Sequence, residues 1–239
     1  AWDVYFLEFI DSLKFHIGED EYAKTRLWID LFCINQHRDT KDHVKQHRWH
    51  YLSETLKKSI ESFDRFIVFF EDWSDPAVFQ RSWSLIELYY GIECGLSLEV
   101  VLPRGGIKPF REAIIETDPT KIPYNMFRML GKIDVRSAKC RYQYQHKLII
   151  RAILSEESRT NLTPVMNMNE VLMKFFKNWV IREASYCILD AKYNADPLAE
   201  VRAKESLANI FRYDGRPDVA SEVYIDAVRY HHQSDPEAL

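Results

Sequence analysis

Glu87 follows Trp83 by four residues in the stretch Arg81-Ser-Trp-Ser-Leu-Ile-Glu-Leu88. On a helix that spacing puts a carboxylate one turn beyond an indole on the same face. The indole can stack on a planar ring or wall off water. Upstream, Asp30 interrupts an apolar run, with Asn35 and Gln36 just beyond it. An unpaired carboxylate at the end of a buried strand is costly. Asp30 therefore either meets a backbone or arginine group or lines a pocket, and Asn35 and Gln36 add neutral donors and acceptors beside it. A plainer arrangement uses the same residues: Glu87 pairs with Arg81 or Arg65 or caps a loop, and Trp83 fills core.

His43, His47 and His50 fall on one expected helix, with Cys33 and His37 upstream. The i, i+4 pair His43/His47 has zinc-ligand spacing. His43-Val-Lys-Gln-His47 lacks the glutamate of a HExxH site, however, and its surroundings are charged. No metal site is expected. The four cysteines, Cys33, Cys94, Cys140 and Cys187, form no CxxC pair. Reduced thiols in a cytoplasmic setting are the simplest reading.

These residues need a framework. The 239 residues are 46% hydrophobic, enough for one sizeable core and a smaller unit. Charged residues make up 28%, and the net charge of -4 comes from interspersed signs. That balance argues against a nucleic-acid or membrane surface. No apolar run reaches the ~18 residues of a membrane span. The chain opens on an amphipathic helix without a Met, which reads as a cut through a larger protein.

Periodicity predicts a helix over 2–14 stopped by Gly18, a polar link over 19–25, and a strand at Arg26–Phe32. A loop over 33–42 and a long helix over 43–63 follow. A strand at 64–70, a helix over 81–94 closed by Gly95, a strand at 98–102 and a helix over 107–115 complete the alternation. Such alternation implies a parallel sheet covered on both faces. In these sheets the functional crevice lies beyond the carboxyl ends of the strands, which is where 33–37 and 71–83 would fall. From 119 to 190 the pattern is helical, with segments near 123–132, 137–155 and 168–190 and a turn over 158–164. It reads as a connector without strands.

Near the C-terminus, Leu207, Ala208 and Phe211 precede Asp214-Gly215-Arg216-Pro217, and Ala220, Tyr224 and Ala227 follow. The alanines let two antiparallel helices approach, and the large residues fill the space between them. This is the register of a TPR hairpin. One repeat cannot bury its own faces, so neighbours are expected. Ser234–Leu239 resembles the inter-repeat linker of kinesin-light-chain-type TPRs.

Two words carry a wider resemblance. Trp28-Ile-Asp-Leu-Phe-Cys-Ile-Asn-Gln36 resembles the "WID-x-x-C-I-N-Q" motif of fungal HET (heterokaryon incompatibility) domains. Arg81–Leu88 resembles "S-x-W-C-x-x-E-L" of TIR domains and "R-x-W-x-x-x-E" of HET domains. Leu56–Phe70 is similar to the TIR helix and strand between them, and Ala1-Trp2 to the end of a "SHAW" sequence. The likeness covers about residues 1 to 115. It implies a flavodoxin-like (TIR-type) α/β fold whose first strand is lacking, in residues 1–117. A helical connector over 118–195 and a TPR hairpin over 196–239, opening an array, would follow. It also implies a signalling module that self-associates, with TPRs for protein partners. In NAD-cleaving TIR domains the helix glutamate is catalytic, which carried over is Glu87. Trp83, Asp30, Asn35, Gln36 and Arg81 would then contact NAD or NADP as substrate, with no permanently bound cofactor. The alternative is a non-catalytic adaptor built of the same parts.

Overall fold

The computed structural model describes residues 6–29, 55–115, 128–140, 142–154 and 162–234. The chain is mixed α/β, mostly helical, with a small parallel two-stranded sheet. It forms two compact units. One comprises Ala1–Glu71, Pro76–Arg104 and Asp134–Leu172; the other comprises Asp72–Asp75, Gly105–Ile133 and Met173–Leu239.

In the first unit, helix α1 (Phe6–Ile17) ends at Gly18, whose φ of 88° a side chain would disfavour. The short helix α2 (Glu19–Tyr22) occupies what the sequence suggests is a polar link. Of the long helix expected over 43–63, the described part is the last stretch. There α3 (Lys57–Glu61) buries Ile60, and Leu56 just before it is buried too. Strand β1 (Arg65–Phe69) pairs in parallel with β2 (Ser97–Val101), in the register Phe66↔Leu98 and Ile67↔Glu99. Helix α4 (Ser82–Glu93) connects them, after a 3-10 turn at Ala77–Gln80.

Side chains alternate across a strand, and the two sheet faces meet different helices. Gly91 of α4 lies so near Phe66 and Leu98 that an added Cβ would stand 3.3 Å from the Phe66 ring. Opposite, α1 sets Phe9 edge-on to Phe69 at 5.3 Å between centroids. On the same face, His16 contacts Glu99 at 2.5 Å. Arg65 donates to both Glu99 oxygens, at 2.9 and 2.8 Å. Arg65 foremost, with His16, holds the Glu99 carboxyl below the usual carboxylate range.

The expected strand at Arg26–Phe32 is not formed over 26–29, which adopt no regular structure; the rest lies outside the described residues. A strand needs an edge for its N–H and C=O groups, and none among the described residues pairs with this one. Trp28 instead packs on Phe63 at 5.8 Å between centroids.

The helix expected over 137–155 is also shorter. Helix α6 is Gln143–Leu154, and before it Lys139 forms an isolated parallel bridge with Arg81. Lys139 N–H donates to the Gln80 carbonyl at 2.7 Å, and its own carbonyl accepts from Ser82 N–H at 3.1 Å. A lone extended residue cannot be read from periodicity, because its partner lies far back in the chain.

In the second unit, α5 (Ile107–Ile115) buries Phe110 and Ile114. The Phe110 ring stacks on Trp179 at 4.8 Å and 4°. Trp179 belongs to α7 (Thr163–Tyr193), a 31-residue helix of which Met173–Tyr193 falls in this unit. Thr163-Pro164, expected to close a turn, instead open this helix, where a proline in the first turn is tolerated. Arg111 reaches Asp190 at 2.8 Å and Glu183 at 3.3 Å, fixing α5 on α7.

Helices α8 (Pro197–Tyr213) and α9 (Pro217–Ser234) then pair. The contacts Asn209–Tyr224 and Lys204–Asp226 advance on one helix as they recede on the other, so the pair is antiparallel. Ala208, Ala220 and Ala227 are buried, as are Leu207 and Phe211. The end of α7 repeats the α9 pattern: Ala184, Ile188 and Ala191 match Ala220, Tyr224 and Ala227 in spacing, and all four alanines are buried.

Candidate functional site

Strand β1 leads outward into residues 70–81, α4 returns, and β2 runs parallel to β1. Helix α4 therefore starts at the carboxyl ends of the strands, the end where ligands bind in sheets of this kind. Its first turn has no local side-chain cap: Arg81 is the cap residue, and its donor-only side chain accepts no bond from the helix amides. The first amide, Ser82 N–H, is satisfied by the distant Lys139 carbonyl instead. Ser82 is fully buried, and its hydroxyl meets His146 Nδ1 at 2.9 Å. Burial pushes the Cys140 thiol up in pKa, while Ser82 and Arg81 pull it partly back. Trp83 Nε1–H donates to Gln145 Oε1 at 3.4 Å.

Glu87 is half-buried on the same helix. Five residues beyond Ser82, it stands about 7.5 Å along the axis from the start of α4. It lies one turn beyond Trp83, as the spacing requires. Arg81 and Trp83 are half-buried as well. The structure thus places Arg81 at the cap and Trp83 and Glu87 on the first two turns of one helix. Asp30, Asn35 and Gln36 lie outside the described residues, as do Cys33, His37, His43, His47 and His50 and the domain boundary at 117.

No family model, curated protein or solved structure matches this chain. The chemistry has to be argued from its own residues. Cys94, Cys140 and Cys187 are free. Burial raises the Cys187 thiol to about 11, which keeps it protonated and a poor nucleophile. Among the described residues no cluster of three or more His, Cys, Asp or Glu side chains could hold a metal, and no helix is long and apolar enough to cross a membrane.

What sequence reasoning missed is the far side of this helix start. Lys139, Gln145 and His146 belong to a stretch that reads as a connector. A helical pattern says which face is apolar, not which helix that face will meet. No motif in 138–146 signals the contact.

Proposed function

We propose that this chain is a TIR/HET-like signalling module that cleaves NAD or NADP through Glu87 and recruits protein partners through a TPR hairpin. In this reading β1, α4 and β2 belong to a flavodoxin-like sheet lacking its first strand, α6 and α7 form the connector, and α8–α9 are the first TPR of an array. The module acts in the cytoplasm and self-associates.

The observation that carries the reading is the position of Glu87: half-buried, in the second turn of the helix that begins at the strand carboxyl ends, on the face of Trp83. A carboxylate so placed can accept hydrogen bonds from ribose hydroxyls. It stabilises positive charge at the anomeric carbon as the bond to the nicotinamide nitrogen breaks. Water then adds to that carbon and releases a proton, giving nicotinamide and ADP-ribose or its 2′-phosphate. Trp83 would flank the ring. Asp30, Asn35, Gln36 and Arg81 are the groups the motif assigns to the rest of the ligand.

The test is incubation of the concentrated protein with NAD and with NADP, following nicotinamide by chromatography. Release is expected, with Glu87→Ala lowering it by about a hundredfold or more. Absence of release at any concentration would leave the second reading, a non-catalytic adaptor that works by assembly. Favouring that reading is the recurrence of the Ala-x3-large-x2-Ala pattern in α7 and α9, since stacked helical repeats commonly present binding surfaces.

A further inference from the structure

We propose that Gln145 and His146, at the start of α6, are positioning residues for the Glu87 site. The inference rests on the reading of Glu87 given above and assigns α6 a part in it that the sequence does not suggest. Helix α4 has no side-chain cap at its beginning. Arg81 supplies no capping side chain, and the preceding residues form a 3-10 turn.

Three groups from 139–146 do that work instead. The Lys139 backbone brackets residue 81, accepting from Ser82 N–H and donating to the Gln80 carbonyl. His146 holds the buried Ser82 hydroxyl at 2.9 Å, and Gln145 holds the Trp83 indole N–H. A helix is rigid over one turn, so whatever fixes residues 81–83 also fixes Glu87. Misplacing a reacting group by about an ångström costs on the order of a hundredfold in rate. Side chains that never touch the ligand can therefore control turnover.

Polarity also constrains the two residues. His146 faces a hydroxyl with no exposure to water, so an apolar replacement leaves Ser82 without that partner. Gln145 presents an acceptor to an indole, which is donor-only. Glutamate keeps that acceptor and leucine removes it. Asparagine places an amide at about the distance of Nδ1, and leucine offers nothing there.

The experiment uses the full chain labelled with 5-fluorotryptophan. The Trp83 fluorine resonance is identified by its loss in Trp83→Phe, and NAD is the substrate for nicotinamide release. Gln145→Leu and His146→Leu are expected to move the Trp83 resonance and lower kcat by about tenfold or more, with KM within about twofold. Gln145→Glu and His146→Asn are expected to restore both readouts. A moved resonance with unchanged kcat would overturn the proposal, as would leucine and conservative variants that fall alike. Wild-type protein that releases no nicotinamide would remove the Glu87 reading and this inference together. Normal wild-type release with unaltered leucine variants would remove this inference alone.

Discussion

The start of α4 and the starts of α8 and α9 solve one problem in opposite ways. Each helix must satisfy amides that have no partner within it. Helix α8 is capped by the residue just before it: Asp196 accepts from Ala199 N–H at 2.9 Å, and Pro197 follows at the first helical position. Helix α9 also opens on a proline, after the turn Asp214-Gly215-Arg216. Helix α4 has neither device and borrows Lys139, more than fifty residues away. Local chemistry makes the first kind of boundary robust and readable. The second kind exists only when the fold is complete, and it is where the candidate site stands.

The comparison can be broken hardest where long-range packing is tightest. A Cβ at Gly91 would already stand 3.3 Å from the Phe66 ring, so a larger side chain is crowded between α4 and the sheet. Gly91→Leu is expected to cost about 2–3 kcal/mol, as overpacking commonly does, and to reduce nicotinamide release with it. Urea denaturation measures the first effect. A variant as stable as wild type would mean that α4 does not rest on the Phe66/Leu98 face.

A smaller long-range effect is set by pH. Arg65 and His16 depress the Glu99 carboxyl in the folded state. A depressed acid contributes stability above its unfolded pKa, and the contribution is lost as pH falls through the folded value. Glu99→Gln should therefore be less stable than wild type at pH 7, by about 1 kcal/mol for a partly exposed bidentate pair. The gap should close as the pH drops below the ordinary carboxylate range. Paired urea midpoints at pH 7 and in acid read it directly, and a gap that widens in acid would reverse the assignment.

The same contrast explains what could be read from the sequence. The helix at 107–115, the strands near 64–70 and 98–102, and the turn at Asp214–Pro217 were legible because period, breaker residues and caps are local signals. Glu87 and Trp83 were legible as a pair because i, i+4 spacing needs no tertiary information. The strand expected at 26–32 is not formed over 26–29, because an apolar run says nothing about whether an edge is there to pair with it. The extended residue Lys139 and its neighbours Gln145 and His146 were illegible because their partners, Gln80 to Trp83, lie far away in sequence. The short chain of contacts that fixes the candidate site is thus the part that sequence reasoning could not supply.

The two turns of the helical unit sharpen the comparison from its local side. Asn194-Ala195-Asp196-Pro197 and Asp214-Gly215-Arg216-Pro217 have the same backbone bonds. Asp196 N–H donates to the Ala191 carbonyl at 3.0 Å and Arg216 N–H to Phe211 at 2.9 Å, the longer bond of a helix-ending αL turn in each case. The left-handed residue is Gly215 in one, at φ 76°, and Ala195 in the other, at φ 52°. If local chemistry sets both turns, exchanging these residues should have opposite signs. Gly215→Ala should cost about 1 kcal/mol, since a Cβ is disfavoured in that region by about 1–2 kcal/mol and only part returns through a stiffer unfolded chain.

The smallest expected effect is the reverse change. Ala195 already bears the left-handed cost, and Ala195→Gly relieves it while loosening the unfolded chain. The net is a gain of about 0.5 kcal/mol, visible as a rise in the urea midpoint at constant m-value. Nothing near Glu87 should respond, because the change lies within one turn and creates no contact. A loss of stability in Ala195→Gly would show that this turn, like the start of α4, is held by more than its own four residues.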